Sequence, residues 1–398
     1  MSTKHCNVAI VAYSEIGLKS KPVRAKLEDM LLRHLRAALR KREVPFESIR
    51  KERGRIYICS GEPYAAAKAA SHIFGVEYSA PACKTTIEMD AIVEAALKLA
   101  ESTLTIGESF AVDARRVGVH PYTSKDLEVR IGSAVLDHLG RERGLRVDLK
   151  NPDKTIYVEA REKSAYIYSQ FYEGLGGLPY GSQGKAVALL TCNVYSALAA
   201  WLMMKRGVEV IPVYLELQNS PDLRCRDEAI VLAESLREFV PVGRLELLFI
   251  PFDGVVDVIH SIAANCATFK VLYARASHAA ASGICRLIGG EGIVAGYRPH
   301  PERGYHPELF LSLRESADVP IYCPLIALSG EEVSRLIGVL QLPTDLMSSG
   351  GVIEGVTCTE TLGMNLERIK SLEARLGLRS KVYEAVERRR VVEISGAP

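Results

Sequence analysis

The chain has 398 residues, of which 48% are hydrophobic and 25% charged, and its formal net charge is +2. This composition excludes a disordered or collagen-like chain, and the lack of any 18-residue apolar run argues against a membrane-spanning segment. The length is sufficient for two or three domains.

The first residues and the cysteines indicate a cellular compartment. The opening MSTKHCNVAIVAYSE has no long apolar core of the kind found in a secretory signal, so we expect a cytoplasmic protein. Nine cysteines are scattered along the chain without a Cys-x-x-Cys pair. An odd number of scattered cysteines favours a reducing compartment and mostly buried free thiols.

A basic segment lies near the start of the chain. Residues 19–55 contain 13 Lys or Arg against 5 Asp or Glu, a local charge of +8, so the rest of the chain sums to −6. Apolar periodicity predicts a strand at 7–13, a helix at 22–42 and a strand at 55–59, a small α+β domain over residues 1–62. Because phosphate contacts release counterions, we expect this surface to bind a polyanion, although a merely solvated helix face is the alternative. The candidate residues are Lys19, Arg33, Arg36 and Arg40.

A second domain is predicted over residues 63–172. Its pattern indicates helices at 90–103 and 124–143 and strands at 109–114, 155–160 and 164–171. The motifs SFAVDARR, HPYTS and VDLKNPD, which begin at residues 109, 120 and 147, resemble the THUMP domain, a tRNA-binding module. The resemblance implies that several basic residues contact acceptor-stem phosphates, unless they only solubilise an interdomain surface. These residues are Arg115, Arg116, Lys125, Arg130 and Lys150.

A glycine-rich linker at residues 173–183 precedes a third domain at 184–398. Beyond the linker, strands alternate with helices, with strands at 208–215, 245–251 and 292–296 and helices at 226–239 and 274–283. This alternation predicts an open, largely parallel sheet. An apolar run at 186–190 followed by helical composition at 197–205 indicates a tight turn at 191–196, where α/β folds bind phosphate.

The residues around this turn resemble a known family. GLPYG at 177–181 and AAWLMMKRG at 199–207 resemble the PP-loop domain of ThiI-type tRNA 4-thiouridine synthetases. YSEIGLK at 13–19 resembles the opening of the N-terminal ferredoxin-like domain of the same family. The resemblance covers nearly the entire chain. It implies an α/β multidomain protein with a ferredoxin-like α+β domain, a THUMP domain and a PP-loop domain of the adenine nucleotide α-hydrolase-like type.

The phosphate loop itself departs from the family pattern Ser-Gly-Gly-x-Asp-Ser. Cys192 and Asn193 stand at the two glycine positions and Tyr195 at the carboxylate position, whereas Thr191 and Ser196 keep hydroxyl groups. Because a Cβ obstructs the close approach of backbone to a pyrophosphate, these residues predict a degenerate loop with impaired ATP binding.

The other chemical motifs of the family are also altered. Tyr297 replaces a glutamate of the family, and Phe269 replaces the second cysteine of its Cys-x-x-Cys motif. Cys266 and Cys358 remain, so an iron–sulfur cluster is not expected, and the two thiols are either a persulfide and resolving pair or inert. No metal site is expected. By contrast, Ser329 and Glu332 predict an intact capping box.

We therefore expect a cytoplasmic tRNA-binding protein that has lost efficient ATP chemistry. One alternative is an active tRNA sulfurtransferase that uses ATP and Mg²⁺, with a further role in sulfur transfer to the thiazole of thiamine, in which Lys185, Lys270 and Ser196 hold the nucleotide. Others are a homodimer, a non-catalytic partner of an active homologue, or a binder of another small ligand. That ligand would occupy a cationic pocket of Arg298, His300, Arg303 and His306. No membrane partner is expected.

Overall fold

The computed structural model describes residues 7–52, 54–218, 224–261, 263, 266–298, 307–342 and 366–394, without the side chains of residues 266 and 307–310. The chain divides into two units, Met1–Leu178 and Pro179–Pro398. The division falls inside the residues 173–183 that the sequence predicts as a linker. Within the described residues, no helix is both long and apolar enough to cross a bilayer.

The first unit is built on one mixed sheet with the strand order β2-β3-β1-β4-β8-β7-β5-β6, and β9 pairs with β4. Its strands are β1 Val8–Ala12, β2 Ser48–Glu52, β3 Arg55–Cys59, β4 Tyr78–Thr85, β5 Ser109–Arg116, β6 Arg146–Val147, β7 Lys154–Ala160, β8 Ala165–Tyr168 and β9 Tyr172–Glu173. Its helices are α1 Lys21–Lys41, α2 Pro63–Ser71, α3 Met89–Thr103, α4 Ser124–Val135 and α5 Arg141–Arg143.

Strand β4 joins the two halves of this sheet. It pairs antiparallel with β1, where Ala80 lies opposite Ile10, and antiparallel with β8, where Cys83 lies opposite Ile167. Strand β4 was not predicted from the sequence, and neither were β2 and α2. Its sequence YSAPACKT has no strict alternation and contains Pro81, which cannot donate a ladder hydrogen bond.

Apolar periodicity explains the predicted helices. The stripe of α1 that contains Leu27, Leu31 and Leu35 is buried, and Pro22 occupies the first turn, where its missing N–H costs nothing. The helix predicted at 124–143 is instead divided by a π-helical turn at Leu136–Gly140, and it ends at Gly144 with a φ of 60°. Glycine adopts this left-handed conformation without the steric cost of a Cβ.

A buried carboxylate connects strands from both halves of the first unit. Glu159 on β7 is almost fully buried and pairs with Arg55 of β3 at 3.1 Å and with Arg161. The hydroxyls of Tyr78 and Tyr168 donate to the same Glu159 oxygen at 3.3 Å each. Burial alone would raise the pKa of Glu159, but the two guanidinium groups outweigh burial and hold it below its usual value.

The second unit has a sheet with the strand order β14-β13-β10-β11-β12-β15. Its strands are β10 Lys185–Leu190, β11 Glu209–Glu216, β12 Leu245–Pro251, β13 Ile293–Val294, β14 Ile321–Tyr322 and β15 Arg390–Ile394. Its helices are α6 Val194–Lys205, α7 Arg224–Arg237, α8 Asp253–His260, α9 Cys266–Ile288, α10 Pro307–Arg314, α11 Gly330–Leu340, α12 Leu366–Arg375 and α13 Leu378–Glu387.

The sheet of the second unit confirms the predicted open, largely parallel arrangement. Every pairing among β10 to β14 is parallel, and only the edge strand β15 runs antiparallel to its neighbour β12. Strands β11 and β12 lie on one side of β10, whereas β13 and β14 lie on its other side. The strand order therefore reverses between β10 and β13, which is where open α/β sheets bind ligands.

Candidate functional site at the strand-to-helix turn

The turn between β10 and α6 lies at the carboxyl end of β10, beside this reversal of strand order. The chain that leaves β13 approaches the first turn of α6 closely. A Cβ built on Gly296 would lie 2.8 Å from the backbone nitrogen of Ser196, so only glycine permits this approach. The fold thus places a helix N-terminus at the expected ligand edge.

Four residues of this turn, Thr191, Asn193, Tyr195 and Ser196, have backbone N–H groups that are hydrogen-bonded within the turn. Thr191 N–H donates to the Ser196 hydroxyl at 3.1 Å, and Asn193 N–H donates to the Thr191 hydroxyl at 3.3 Å. Tyr195 N–H donates to the side-chain oxygen of Asn193 at 2.9 Å, and Ser196 N–H donates to the Asn193 carbonyl at 3.1 Å. Three amides at the N-terminus of α6, and that of Thr191 just before it, are therefore engaged internally and are not directed at an anion.

Asn193 caps α6 in an extended conformation, with φ −111° and ψ 136°. The non-glycine residues with positive φ in the described chain are Glu43 and Gln341, and neither belongs to the turn. The turn thus has the backbone of an ordinary N-cap, in which the side chain supplies the acceptor for an N–H of the first helical turn.

A disulfide joins the turn to a neighbouring helix. Cys192 is buried and is bonded to Cys225 in the first turn of α7, with the two Cα atoms 4.7 Å apart. The expectation of free thiols is wrong for this pair, because the packing of α7 brings together two cysteines that are 33 residues apart in sequence. Four other cysteines of the described chain form no disulfide, namely Cys59, Cys83, Cys285 and Cys323.

Tyr195 in the turn and Tyr297, which follows Gly296, both make contacts through their aromatic rings. The Arg298 guanidinium lies 4.1 Å from the centroid of the Tyr195 ring, a cation–π contact. Tyr297 stacks on His278 of α9 with ring centroids 5.7 Å apart. Burial lowers the pKa of His278 to about 4, so this imidazole is neutral near pH 7. Of the predicted cationic pocket, His300, Arg303 and His306 lie outside the described residues.

Comparisons with known proteins cover all three predicted domains. Family models match the ThiI ferredoxin-like domain at residues 8–79, the THUMP domain at 87–170 and the thiamine biosynthesis protein ThiI at 181–341. The chain is 32% identical to a probable tRNA sulfurtransferase of Methanosarcina acetivorans, over 98% of this chain and 94% of the relative. It is 33% identical to the corresponding protein of Methanosarcina mazei, over 99% and 97%.

The chain belongs to the ThiI family. Its fold resembles a crystal structure of a 4-thiouridine synthetase–RNA complex with bound ATP, with a TM-score of 0.81, 22% identity, and coverage of 98% of this chain and 100% of the other. It also resembles PH1313 from Pyrococcus horikoshii, with a TM-score of 0.65, 30% identity, and coverage of 84% and 100%. The predicted ferredoxin-like, THUMP and PP-loop fold of the ThiI family is confirmed.

The expected sulfur site of the ThiI family is described only in part. Phe269, at the position of the missing cysteine, is buried in the core and stacks on His260 with ring centroids 4.5 Å apart. Cys358 and the side chain of Cys266 lie outside the described residues, so their pairing stays a prediction. Sequence reasoning missed the cluster of Cys192, Cys225 and Glu228, whose sulfur and carboxylate oxygen atoms lie within 4.8 Å of one another. The two sulfurs are bonded to each other and could hold a metal ion only as reduced thiolates.

The basic residues predicted to bind RNA lie mostly at the surface of the first unit. On α1, Arg33 and Arg40 are exposed and Arg36 is half-buried, and their spacing places them on one side of the helix. We call these three residues the α1 arginine stripe. The remaining predicted residues are all exposed, namely Lys19, Arg115, Arg116, Lys125, Arg130 and Lys150.

Proposed function

We propose that this chain is a tRNA-binding member of the ThiI family in which ATP-dependent adenylation of uridine is impaired. Its relatives carry the name probable tRNA sulfurtransferase, and a protein of similar fold was crystallised with RNA and ATP. The THUMP match and the exposed basic residues support tRNA as the partner. The degenerate turn at 191–196 supports the loss of efficient ATP chemistry.

The observation that carries this proposal is the internal hydrogen bonding of the turn amides. A nucleotide phosphate held by the turn would have to displace four bonds made by Thr191, Asn193, Tyr195 and Ser196. At about 1 kcal/mol for each net hydrogen bond, this competition costs about 4 kcal/mol, or roughly a thousand-fold in affinity. The residues present therefore do not fit a triphosphate.

Direct titration tests the loss of nucleotide binding. We expect isothermal titration of the purified chain with ATP and Mg²⁺ to give a dissociation constant weaker than about 1 mM. Weak binding follows from the engaged amides and from the bulk of the Tyr195 and Arg298 pair. A micromolar dissociation constant would contradict the proposal.

A variant that restores the family residues tests the physical cause. Cys192→Gly/Asn193→Gly/Tyr195→Asp removes the Asn193 side chain that accepts the Tyr195 N–H, together with the side-chain bulk at Cys192 and Tyr195, so we expect ATP affinity to rise at least ten-fold. Cys225→Ser is the matched control, because it removes the disulfide and leaves the turn residues intact apart from a free Cys192 thiol. A restored loop that still fails to bind ATP, while remaining folded, would place the cause of weak binding elsewhere.

A second candidate function is an active tRNA sulfurtransferase with a rearranged site, including sulfur transfer to thiazole. Arg298 favours it, because an exposed guanidinium beside the first turn of α6 offers a cation at the ligand edge. Mass spectrometry of tRNA nucleosides separates the two functions. Loss of 4-thiouridine after deletion of the gene, in cells without a second synthetase, would support the active enzyme.

A further inference from the structure

The disulfide between Cys192 and Cys225 joins two elements at the ligand edge of the second unit. Cys192 lies in the turn after β10 and is buried, whereas Cys225 lies in the first turn of α7 and is partly exposed. Their Cα separation of 4.7 Å is within the usual range for a disulfide. The cross-link therefore fixes the turn relative to the helix that follows β11.

We propose that Cys192 and Cys225 form a reversible dithiol–disulfide site that controls the opening of the strand-to-helix turn. The inference rests on the proposed function, because a tRNA partner implies a reducing cytoplasm. Disulfides in that compartment are ordinarily transient and serve catalysis or redox sensing. The site would take small thiols and small disulfides as its redox partners.

The exposure of the two cysteines gives the direction of thiol–disulfide exchange. A small thiolate attacks Cys225 Sγ, the more accessible sulfur, and the bond to Cys192 Sγ breaks with its electron pair left on Cys192. A second thiolate attacks the mixed disulfide and releases the small disulfide, leaving Cys225 as thiolate. Overall, two small thiols are oxidised to one small disulfide, and the two protein sulfurs are reduced. The protons released when the small thiols ionise are taken up by the two protein thiolates.

The surroundings of both sulfurs favour such exchange. Cys192 directly precedes the N-cap of α6 and Cys225 lies in the first turn of α7, so each sulfur is near a helix N-terminus that stabilises a thiolate. Glu228, one turn after Cys225, has a carboxylate oxygen within 4.8 Å of both sulfurs. Its negative charge disfavours paired thiolates and so favours closure of the disulfide.

The disulfide acts on the turn because Cys192 stands between two of the residues whose amides are engaged internally. Thr191 N–H and Asn193 N–H bond to side chains of the same turn, and the cross-link holds the intervening Cα in place. Reduction removes this constraint. The turn can then open, and its amides become accessible to water or to an anion.

Mass spectrometry tests the bond itself. We expect protein purified without reductant and digested with Glu-C protease to give a linked peptide pair that contains Cys192 and Cys225. Dithiothreitol should convert both to alkylatable thiols, and oxidised glutathione should restore the link. Thiols that stay free in oxidised glutathione, or a pair that retains zinc and resists oxidation, would overturn the proposal.

Hydrogen exchange tests the control of the turn. We expect the amides of residues 191–196 to exchange about ten-fold faster in the reduced protein than in the oxidised protein. Cys225→Ser should exchange at the reduced rate under both conditions, and Cys285→Ala, which removes a free buried cysteine, should respond like the unmodified chain. Equal rates in the two redox forms would overturn the proposal.

Titration of ATP into both redox forms separates this inference from the proposed function. We expect reduction to increase ATP affinity several-fold while leaving it weaker than micromolar. Micromolar affinity in both forms would contradict the proposed function, whereas equal exchange rates of the turn amides would contradict only the disulfide site.

Discussion

The side chains of Asn193 and Ser196 form hydrogen bonds with backbone groups of the strand-to-helix turn. The hydroxyls of Thr191 and Ser196 are the part of the family's loop chemistry that the sequence predicts this chain to retain. In the structure, both hydroxyls accept backbone N–H groups, and the Ser196 hydroxyl also donates to the Asn193 carbonyl at 2.8 Å. A retained residue type therefore does not imply a retained role, because neighbouring backbone N–H groups can donate to the same hydroxyl oxygen.

Asn193→Ala should destabilise the second unit by about 1 kcal/mol, because α6 loses the side-chain acceptor at its N-terminus. The measurement is urea denaturation followed by circular dichroism. Asn193→Asp, which keeps an acceptor oxygen, is the matched control and should retain nearly full stability. Equal losses in the two variants would show that Asn193 does not act as a cap.

His278→Gln should flatten the dependence of stability on pH between about 6.5 and 4. Burial lowers the pKa of His278 to about 4, and its Nδ1–H donates to the Ala274 carbonyl at 2.7 Å, so the folded state holds the neutral ring. The unfolded state takes up a proton below about pH 6.5, so stability falls as pH decreases through this window, by roughly 3 kcal/mol at most.

Urea denaturation at several pH values measures this change. Gln keeps a polar side chain of similar length that does not titrate, so the remaining slope reports the other groups, including His34, whose pKa burial also lowers to about 4. An unchanged slope in His278→Gln would contradict the assignment.

The α1 arginine stripe is a prediction made at the scale of one helix. Arg33→Glu/Arg36→Glu/Arg40→Glu should weaken tRNA binding and reduce the salt slope of log K by up to about 3, because each phosphate contact contributes roughly 0.7 to 0.9. Filter binding at several salt concentrations measures both quantities. The matched control carries the same Arg→Glu charge reversals at three exposed arginines of the second unit, Arg335, Arg368 and Arg388. An unchanged slope in the stripe variant would remove its RNA-binding role.

Elements with a local signal were predictable from sequence. The Ser329 and Glu332 capping box at the start of α11 is confirmed, since each side chain accepts from the backbone N–H of the other residue. Strand β4 was not predictable, because its position between β1 and β8 is fixed by pairing with strands distant in sequence. Helix α9 extends over Cys266–Ile288, well beyond the predicted 274–283, because tertiary packing extends the buried face.

A buried ion pair connects three helices of the second unit. Arg275 of α9 is almost fully buried and binds Glu373 of α12 through two hydrogen bonds of 2.6 and 2.8 Å. Its Nη1 also donates to the carbonyl and, at 3.2 Å, to the hydroxyl of Ser312 on α10. Loss of one partner would leave an uncompensated charge inside the protein.

Glu373→Gln should therefore destabilise the second unit by about 3 to 5 kcal/mol. Asp318→Asn is the matched control, since Asp318 pairs with Arg286 at the surface and its loss should cost less than about 1 kcal/mol. Thermal and urea denaturation measure both. If Glu373→Gln lowered the free energy of unfolding by no more than Asp318→Asn does, the buried pair would not be holding these helices together.

The sequence by itself determined the order and type of the domains and the parallel sheet of the second unit. Helix periodicity, buried apolar strands and the motifs around residues 13–19, 109–153 and 177–207 are local in sequence, so no knowledge of packing was needed. The α1 arginine stripe was likewise predicted, from local helix periodicity, as a polar and mostly exposed helix face.

Only the tertiary structure decided how the side chains of the candidate site are used. The Cys192–Cys225 disulfide joins residues 33 positions apart, and Arg275 meets Glu373 across 98 positions. Arg298 reaches Tyr195 because β13 lies beside β10 in the sheet. These contacts form between elements that are distant in the chain, and their geometry depends on how whole helices and strands pack, which no local pattern of residues specifies.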